Sequence, residues 1–225
     1  LFRSKKVRTF LFDIYYYNRD ILIEKRCFLM NHLEFLNARS SVRDFDPKNI
    51  IKKPVIEEMV RNAANAPSSN NFQPWKVVAV ANKEKQKKLM AFAGGQKQVE
   101  DASVVYILFG DLSLYNIEKI MQFNLNKGIL NAKDMESKAN RVQAYLDLHP
   151  EDAGIEGLKF DLGLFSMNLM HVVRTFGYES VPMRGVDFGK VKEYLHVPEN
   201  YKAMLMLPVG KAIKSGYPHV RYELE

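Results

Sequence analysis

The sequence lacks the residues and motifs on which several classes of protein depend. Its 225 residues include one cysteine, Cys27, which excludes an internal disulfide and a cysteine-rich metal site. It has no GxGxxG or P-loop motif, no HExxH zinc motif and no GxSxG nucleophile. No apolar run approaches the length that spans a membrane. We therefore expect a cytoplasmic protein without a metal, in which a bound cofactor carries the chemistry.

The net charge of +7 is unevenly distributed along the chain. Residues 1–29 hold seven basic and three acidic residues, a net charge of +4, and the first methionine is Met30. A signal peptide, a basic arm for nucleic acid and an extension without a role are all open interpretations of this segment. We predict a non-functional or poorly ordered extension at 1–29 and one domain at 30–225. That domain is mildly basic, which suits an anionic cofactor and requires neither a nucleic acid nor a membrane.

Strand and helix patterns alternate along residues 30–225, which indicates an α/β or an α+β protein. Strands are predicted at 75–82, 103–111 and 202–210. The continuous apolar run at 103–111 predicts a strand that is buried on both faces, with helices on each side of the sheet.

Two stretches between these strands predict contrasting helices. Residues 129–156 are polar and charged and are predicted to leave the core, with a helix in their middle. Residues 157–176 form a helical pattern that is apolar nearly all round. Such a helix must be covered nearly all round, and a second subunit is the expected source of that cover.

The motif "ARSSVRDF" at residues 38–45 combines two arginines with two hydroxyl groups. Arg39 and Arg43 are four residues apart, with Ser40 and Ser41 between them, so the end of a helix would place both guanidinium groups on one side. Arginine and hydroxyl groups together match a phosphate, to which each charge-assisted hydrogen bond adds roughly 1.5–3 kcal/mol. A helix terminus with solvated arginines is the other interpretation.

Three further motifs carry neutral polar groups or a tight turn. "APSSNNFQPW" at 66–75 indicates a ligand with many polar edges, although some of these side chains are expected to cap their own backbone. The amides of Gln96 and Gln98, in "QKQVEDAS", match the edge of a heterocycle or are simply solvated. "VPMRGVD" at 181–187 predicts either a close backbone approach to a flat group or an ordinary turn.

In this order, and with "LPVGKA…VR" at the C-terminus, the motifs resemble the FMN-dependent nitroreductase family over residues 30–225. The resemblance implies an α+β fold with a central, mainly antiparallel sheet flanked by helices, and an intertwined homodimer with FMN at the subunit interface. It implies a ping-pong transfer of hydride from NAD(P)H, through flavin N5, to electron-poor small molecules such as nitroaromatics or quinones. Reductive dehalogenation, enone reduction and flavin breakdown on the same fold are alternatives. A non-catalytic protein that binds flavin or nucleic acid is another.

The resemblance also implies a role for each motif. The first motif and the C-terminal arginine hold the phosphate and ribityl chain, and Arg43 is an electrostatic stabiliser beside the pyrimidine end, with no dedicated catalytic side chain. The loop at 66–75 lines the flavin edge, with Asn71 reaching across from the partner subunit, and the backbone at 183–185 approaches N5 and O4. The implied cofactor-binding residues are Arg39, Ser40, Ser41, Arg43, Pro67, Ser68, Ser69, Asn71, Gln96, Gln98, Met183, Arg184, Gly185 and Arg221.

Two positions depart from the family pattern. Arg184 stands where relatives often have an acidic residue, and its positive charge near the reactive edge favours anionic substrates. His219 stands two residues before Arg221, where relatives often have a second basic residue, and the charge of a histidine depends on pH.

Overall fold

The computed structural model describes residues 32–223, so the extension predicted at 1–29 lies outside the described residues. The chain divides into two units, Leu1–Asn37 and Ala38–Glu225. In the first unit the structure describes only helix α1 (His32–Asn37), none of whose residues is buried. All the elements named below belong to the second unit.

The second unit alternates helices and strands as the sequence predicts. Its helices are α2 (Lys53–Ala63), α3 (Lys83–Phe92), α4 (Gln98–Asp101), α5 (Ile117–Asn126), α6 (Met135–Leu148), α7 (Ile155–Thr175) and α8 (Phe188–Leu195). Its strands are β1 (Trp75–Val80), β2 (Val104–Asp111), β3 (Glu179–Ser180) and β4 (Tyr201–Gly210). The short elements α4 and β3 were not predicted, because elements of four and two residues show no readable period.

The four strands form one antiparallel sheet in the order β1-β2-β4-β3. This confirms the α+β fold with a central antiparallel sheet, and it resolves the choice that the alternation of strands and helices left open. Strand direction could not be predicted from β2 itself, because a strand covered on both faces is continuously apolar whichever way its neighbours run.

Every residue of β2 is buried, because helices cover both faces of the sheet. Its residues 105, 107 and 109 enter one hydrophobic cluster, with Leu89 of α3 and Val191 of α8. Its residues 104, 106 and 108 enter the other cluster, with Met59 of α2 and Phe165 of α7. The two-residue period of a strand thus divides the core into two layers, as the continuous apolar run at 103–111 predicts.

Helix α7 lies against the sheet along one side only. A Cβ atom at Gly110 of β2 would lie 2.5 Å from the Leu158 side chain, so the close approach of the two elements requires glycine there. On the other side, Phe160 is 68% exposed and Met167 is 42% exposed. Within residues 32–223 nothing supplies the all-round cover predicted for this helix. Neither α7 nor any other helix in that range is long and apolar enough to cross a membrane.

Helices α5 and α6, with the turns around them at 112–153, form an excursion from the two main layers. They build a small hydrophobic cluster of their own from Ile120, Met121 and Val142. Phe72, from the loop that precedes β1, completes this cluster and is 5% exposed. The α5–α6 excursion is therefore packed directly against the second sequence motif.

Candidate functional site

The first motif lies along the edge of the sheet and not in a helix. Ser41 forms a parallel bridge with Ser180 of β3, and the Val42 N–H donates to the Ser180 carbonyl at 3.1 Å. The prediction that Arg39 and Arg43 share a helix end is therefore wrong, because this backbone bonds to the sheet instead. Alternate residues of a strand-like segment point the same way, so both arginines lie on the side opposite buried Val42.

The C-terminal segment returns to the first motif. The Nε2 atom of His219 lies 2.5 Å from the carbonyl oxygen of Arg39. A Cβ atom at Gly216 would lie 2.6 Å from the Ser40 hydroxyl, so only glycine allows this approach. Arg221 is exposed, and its guanidinium group donates to the carbonyl of the residue before it. The structure thus brings the C-terminal segment to the motif, although within residues 32–223 no hydrogen bond joins Arg221 to Arg39.

A buried charged cluster lies next to Arg39. Arg174 of α7 is 8% exposed and donates through Nε to Oε1 of Glu179 at 3.2 Å. Burial raises the pKa of Glu179, although Arg174 and Arg39 act to lower it. Burial lowers the pKa of His171, and Arg174 and Arg39 lower it further. Two guanidinium groups share one carboxylate here, so the cluster is suited to an additional anion.

Two buried polar atoms beside this cluster have no hydrogen-bond partner within the described residues. They are Oε2 of Glu179 and the hydroxyl of Ser180, and Ser180 is the bridge partner of Ser41. Buried polar groups are nearly always satisfied, so an unpartnered hydroxyl next to serines and arginines indicates a missing acceptor. The donor set therefore fits the phosphate end of FMN. The sequence analysis missed Arg174, Glu179 and Ser180, since nothing in their spacing sets them apart.

The second motif forms a strained turn. Asn70, Asn71 and Gln73 have φ angles of 45°, 62° and 51°, in the left-handed region that asparagine tolerates and glutamine seldom adopts. The Gln73 N–H donates to the Ser68 hydroxyl at 3.0 Å, so part of the polar set caps its own backbone. Pro67 and Asn71 are exposed. Backbone strain of this kind is concentrated at ligand sites, which agrees with a binding role for this loop.

A carboxylate from α7 holds this turn from below. Asp161 is 1% exposed, and its Oδ1 accepts the Ser69 N–H at 3.0 Å while Oδ2 accepts the Tyr115 hydroxyl at 2.9 Å. Burial raises the pKa of Asp161, although both hydrogen bonds act to lower it. The sequence analysis missed Asp161, and the one available signal was an acidic residue in the middle of an apolar helical pattern.

We expect the stability difference between the wild type and Asp161→Asn to depend on pH. The folded pKa of Asp161 lies above its unfolded value, so the native state keeps a proton that the unfolded chain has released. The wild type therefore loses stability relative to the variant as the pH rises above about 4, the usual carboxyl range, through the folded pKa. Urea unfolding of both proteins between about pH 3.5 and 8 measures this, and a difference that does not change with pH would contradict the raised pKa.

The structure brings the third and fourth motifs together. The Gln98 side chain, 6% exposed, donates to Oε1 of Gln96 at 2.8 Å and lies 3.7 Å from the sulfur of Met183. The Gln96 amide in turn donates to the carbonyl of Ala93 at 3.1 Å. The two glutamines are therefore oriented by each other and by the segment at 181–187.

Two backbone donors of the segment at 181–187 are open to a ligand. The Met183 N–H is not, because it donates to the Met206 carbonyl of β4 at 2.8 Å. Arg184 and Gly185 are exposed, and in the described part of the chain their N–H groups have no hydrogen-bond partner. The Arg184 side chain also makes no ion pair among these residues. The predicted backbone contacts with a cofactor therefore fall to Arg184 and Gly185.

The predicted residues fall into two groups. The first motif, the glutamines and the segment at 181–187 are linked by the Ser41–Ser180 bridge and by the contact of Gln98 with Met183. Across residues 32–223, no hydrogen bond or ion pair joins the loop at 66–75 to that group. One subunit thus presents two parts of a site on separate surfaces.

Comparison with known proteins gives consistent matches. A model of the nitroreductase family matches residues 36–211. A nitroreductase-like protein of Streptococcus mutans is 50% identical with a TM-score of 0.83, covering 85% of this chain and 93% of that one. A protein of Exiguobacterium sibiricum, solved in complex with FMN, is 29% identical with a TM-score of 0.78, covering 86% and 94%. YdgI of Bacillus subtilis, named provisionally as an NAD(P)H nitroreductase, is 30% identical over 86% of this chain and 94% of its own length.

Proposed function

Because the chain belongs to the nitroreductase family, an assignment that makes it an NAD(P)H-dependent oxidoreductase, we propose that it binds FMN and reduces electron-poor small molecules. The observation that carries the proposal is the unpartnered Ser180 hydroxyl beside Ser41 and the basic cluster around Arg39. The FMN complex of the Exiguobacterium sibiricum relative supports the choice of flavin. We assign this role to a domain at 30–225 in the cytoplasm.

FMN, when bound, supplies the redox step: it accepts hydride from the nicotinamide at N5 and delivers it to a second substrate in a ping-pong sequence. The residues of the chain bind and orient. Arg39, Ser40 and Ser41 would hold the phosphate and ribityl chain together with Arg221, through charge-assisted hydrogen bonds. Arg43 would place a fixed positive charge near the pyrimidine end, where negative charge develops.

The remaining groups would orient the flavin ring. The amides of Gln96 and Gln98 can donate to and accept from its polar edge. The N–H groups of Arg184 and Gly185, which have no partner within the described residues, would donate to the N5 and O4 side. These donors are backbone groups on a segment paired with β4 through Met183, so their positions are fixed by the sheet.

We propose that a second copy of the chain completes the site. The loop at 66–75 makes no hydrogen bond to the other motifs in the described part of one subunit, and the exposed Phe160 and Met167 of α7 offer an apolar surface for a partner. In that arrangement Asn71 reaches the flavin of the other subunit. The α5–α6 excursion, packed on this loop through Phe72, would roof the substrate pocket.

Steady-state kinetics under nitrogen test the proposed reaction. With NADH or NADPH as donor and a nitroaromatic or a quinone as acceptor, double-reciprocal plots should give parallel lines, as a ping-pong sequence requires. Intersecting lines would contradict it. An α,β-unsaturated ketone and a halogenated phenol in the same panel, with products identified by mass spectrometry, distinguish nitroreduction from enone reduction and reductive dehalogenation.

Arg184 is expected to favour acceptors that carry a negative charge. The suitable pair is 4-nitrobenzoate and 4-nitrobenzamide, which share a nitro group and a similar shape and differ in charge. Near an exposed guanidinium the charge is worth about 1 kcal/mol, so the ratio of their kcat/KM values should fall about fivefold in Arg184→Gln and about twentyfold in Arg184→Glu.

The control for net charge is Lys87→Gln, which removes an exposed cation from α3. The ratio should not change in this variant, and the effect at Arg184 should shrink with added salt. An unchanged ratio in Arg184→Glu would show that this side chain does not face the acceptor.

A further inference from the structure

We propose that Asp161 is a positioning residue: it holds the turn at 68–73 in its ligand-binding conformation and couples that turn to the α5–α6 excursion. The inference rests on the proposed FMN site for the meaning of "ligand-binding", while the hydrogen bonds that carry it belong to the chain itself. Asp161 reaches the turn from α7, 92 residues away along the sequence.

The first oxygen of Asp161 fixes the start of the turn. Its Oδ1 accepts the Ser69 N–H at 3.0 Å, at the point where a short 3₁₀ turn begins. Every other amide bonded in this turn returns to its own residues: the Asn71 N–H donates to the Ser68 carbonyl and the Phe72 N–H to the Ser69 carbonyl. Asp161 therefore provides the hydrogen bond that ties the turn to the core.

The second oxygen of Asp161 fixes the start of the α5–α6 excursion. Its Oδ2 accepts the Tyr115 hydroxyl at 2.9 Å, just before α5 begins. The Tyr115 ring packs edge-on against Phe72 of the turn, with 5.3 Å between ring centroids. Asp161, Tyr115 and Phe72 thus form a closed connection between the core helix, the excursion and the turn.

A purely structural role does not explain a carboxylate at this position. A buried charge costs free energy, and an apolar side chain of similar volume would stabilise the core at least as well. A carboxylate differs in offering two acceptor oxygens in one plane, which here serve two separate segments. The turn also contains three residues in the left-handed region, a conformation that persists only when the surroundings hold it.

Four variants separate positioning from general stability. Asp161→Ala removes both acceptors, while Asp161→Asn keeps an oxygen for the Ser69 N–H and should retain the turn. Tyr115→Phe removes only the connection to the excursion. Ser166→Ala is the matched control, since it deletes a buried polar group of the same helix whose hydroxyl bonds only to Gly163 of α7.

The first measurement is hydrogen exchange, followed by mass spectrometry, of the full chain freed of flavin. Peptides covering 66–75 should exchange at least tenfold faster in Asp161→Ala and stay within threefold of the wild type in Asp161→Asn and Ser166→Ala. In Tyr115→Phe the faster exchange should be largest in peptides from 112–126. Wild-type exchange of 66–75 in Asp161→Ala would overturn the proposal, and so would an equal increase in Ser166→Ala.

The second measurement is the Kd for FMN, from quenching of flavin fluorescence. We expect at least tenfold weaker binding by Asp161→Ala and at most threefold by Asp161→Asn. Faster exchange with unchanged FMN affinity would overturn the claim that the held conformation is the ligand-binding one. A wild type that binds no FMN would instead refute the proposed function, and the exchange result would still decide whether Asp161 holds the turn.

Discussion

Replacing Arg39 and Arg221 together with alanine should give a protein that purifies without FMN. Each arginine is expected to contribute a charge-assisted hydrogen bond to the phosphate of roughly 1.5–3 kcal/mol, so losing both weakens binding by about two to four orders of magnitude. FMN per subunit after gel filtration, and the Kd on adding FMN back, measure this directly. Each single variant should retain part of its flavin.

The matched control for this double variant removes two other exposed arginines. Arg61 lies on α2, where it pairs with Glu58, and Arg141 lies on α6. Alanine at both positions changes the net charge equally and should leave FMN binding unchanged. If the Arg39 and Arg221 double variant purified with a full complement of FMN, the phosphate assignment would be wrong.

Aspartate at both Phe160 and Met167 should convert a dimer into a monomer and weaken FMN binding. The two side chains lie seven residues apart, two turns of α7, so they share one face. Both are exposed in the single subunit, and an interface that buries them would bring the charges of the variant out of water without partners. Because Asn71 is proposed to reach the flavin from the other subunit, we expect FMN affinity to fall at the same protein concentrations.

Light scattering after gel filtration measures the mass of the assembly. Leu148→Asp is the control, because this apolar residue at the end of α6 is 78% exposed and lies outside the proposed interface. It should remain dimeric and yellow. A double variant at Phe160 and Met167 that stays dimeric, with undiminished flavin, would show that the two subunits do not meet on this face.

The sequence predicted the elements of this fold better than the contacts between them. The apolar run at 103–111 predicts a strand buried on both faces, and β2 is such a strand. Its composition could not show that its neighbours run antiparallel, since burial makes parallel and antiparallel strands look alike. In the same way, the spacing of Arg39 and Arg43 suits both a helix and a strand, and the pairing of Ser41 with Ser180 that decides between them is a long-range contact.

The candidate site was predicted as a set of motifs and not as an arrangement. The residue types of each motif were enough to indicate a flavin, because arginines, hydroxyls and amides match its phosphate and ring edges. Asp161 was not identified, since its role depends on meeting Ser69 and Tyr115, two residues far from it in sequence. The cluster of Arg174 and Glu179 was missed for the same reason.

The most direct test of the proposed function is the visible spectrum of the purified protein before and after anaerobic addition of NADH or NADPH. The proposal predicts the absorption of oxidised flavin at about one FMN per subunit, bleached on addition of the donor and restored by a nitroaromatic or a quinone. The faster of the two donors would identify the preferred nicotinamide. A colourless protein that neither takes up added FMN nor oxidises NADH or NADPH would contradict the proposed function.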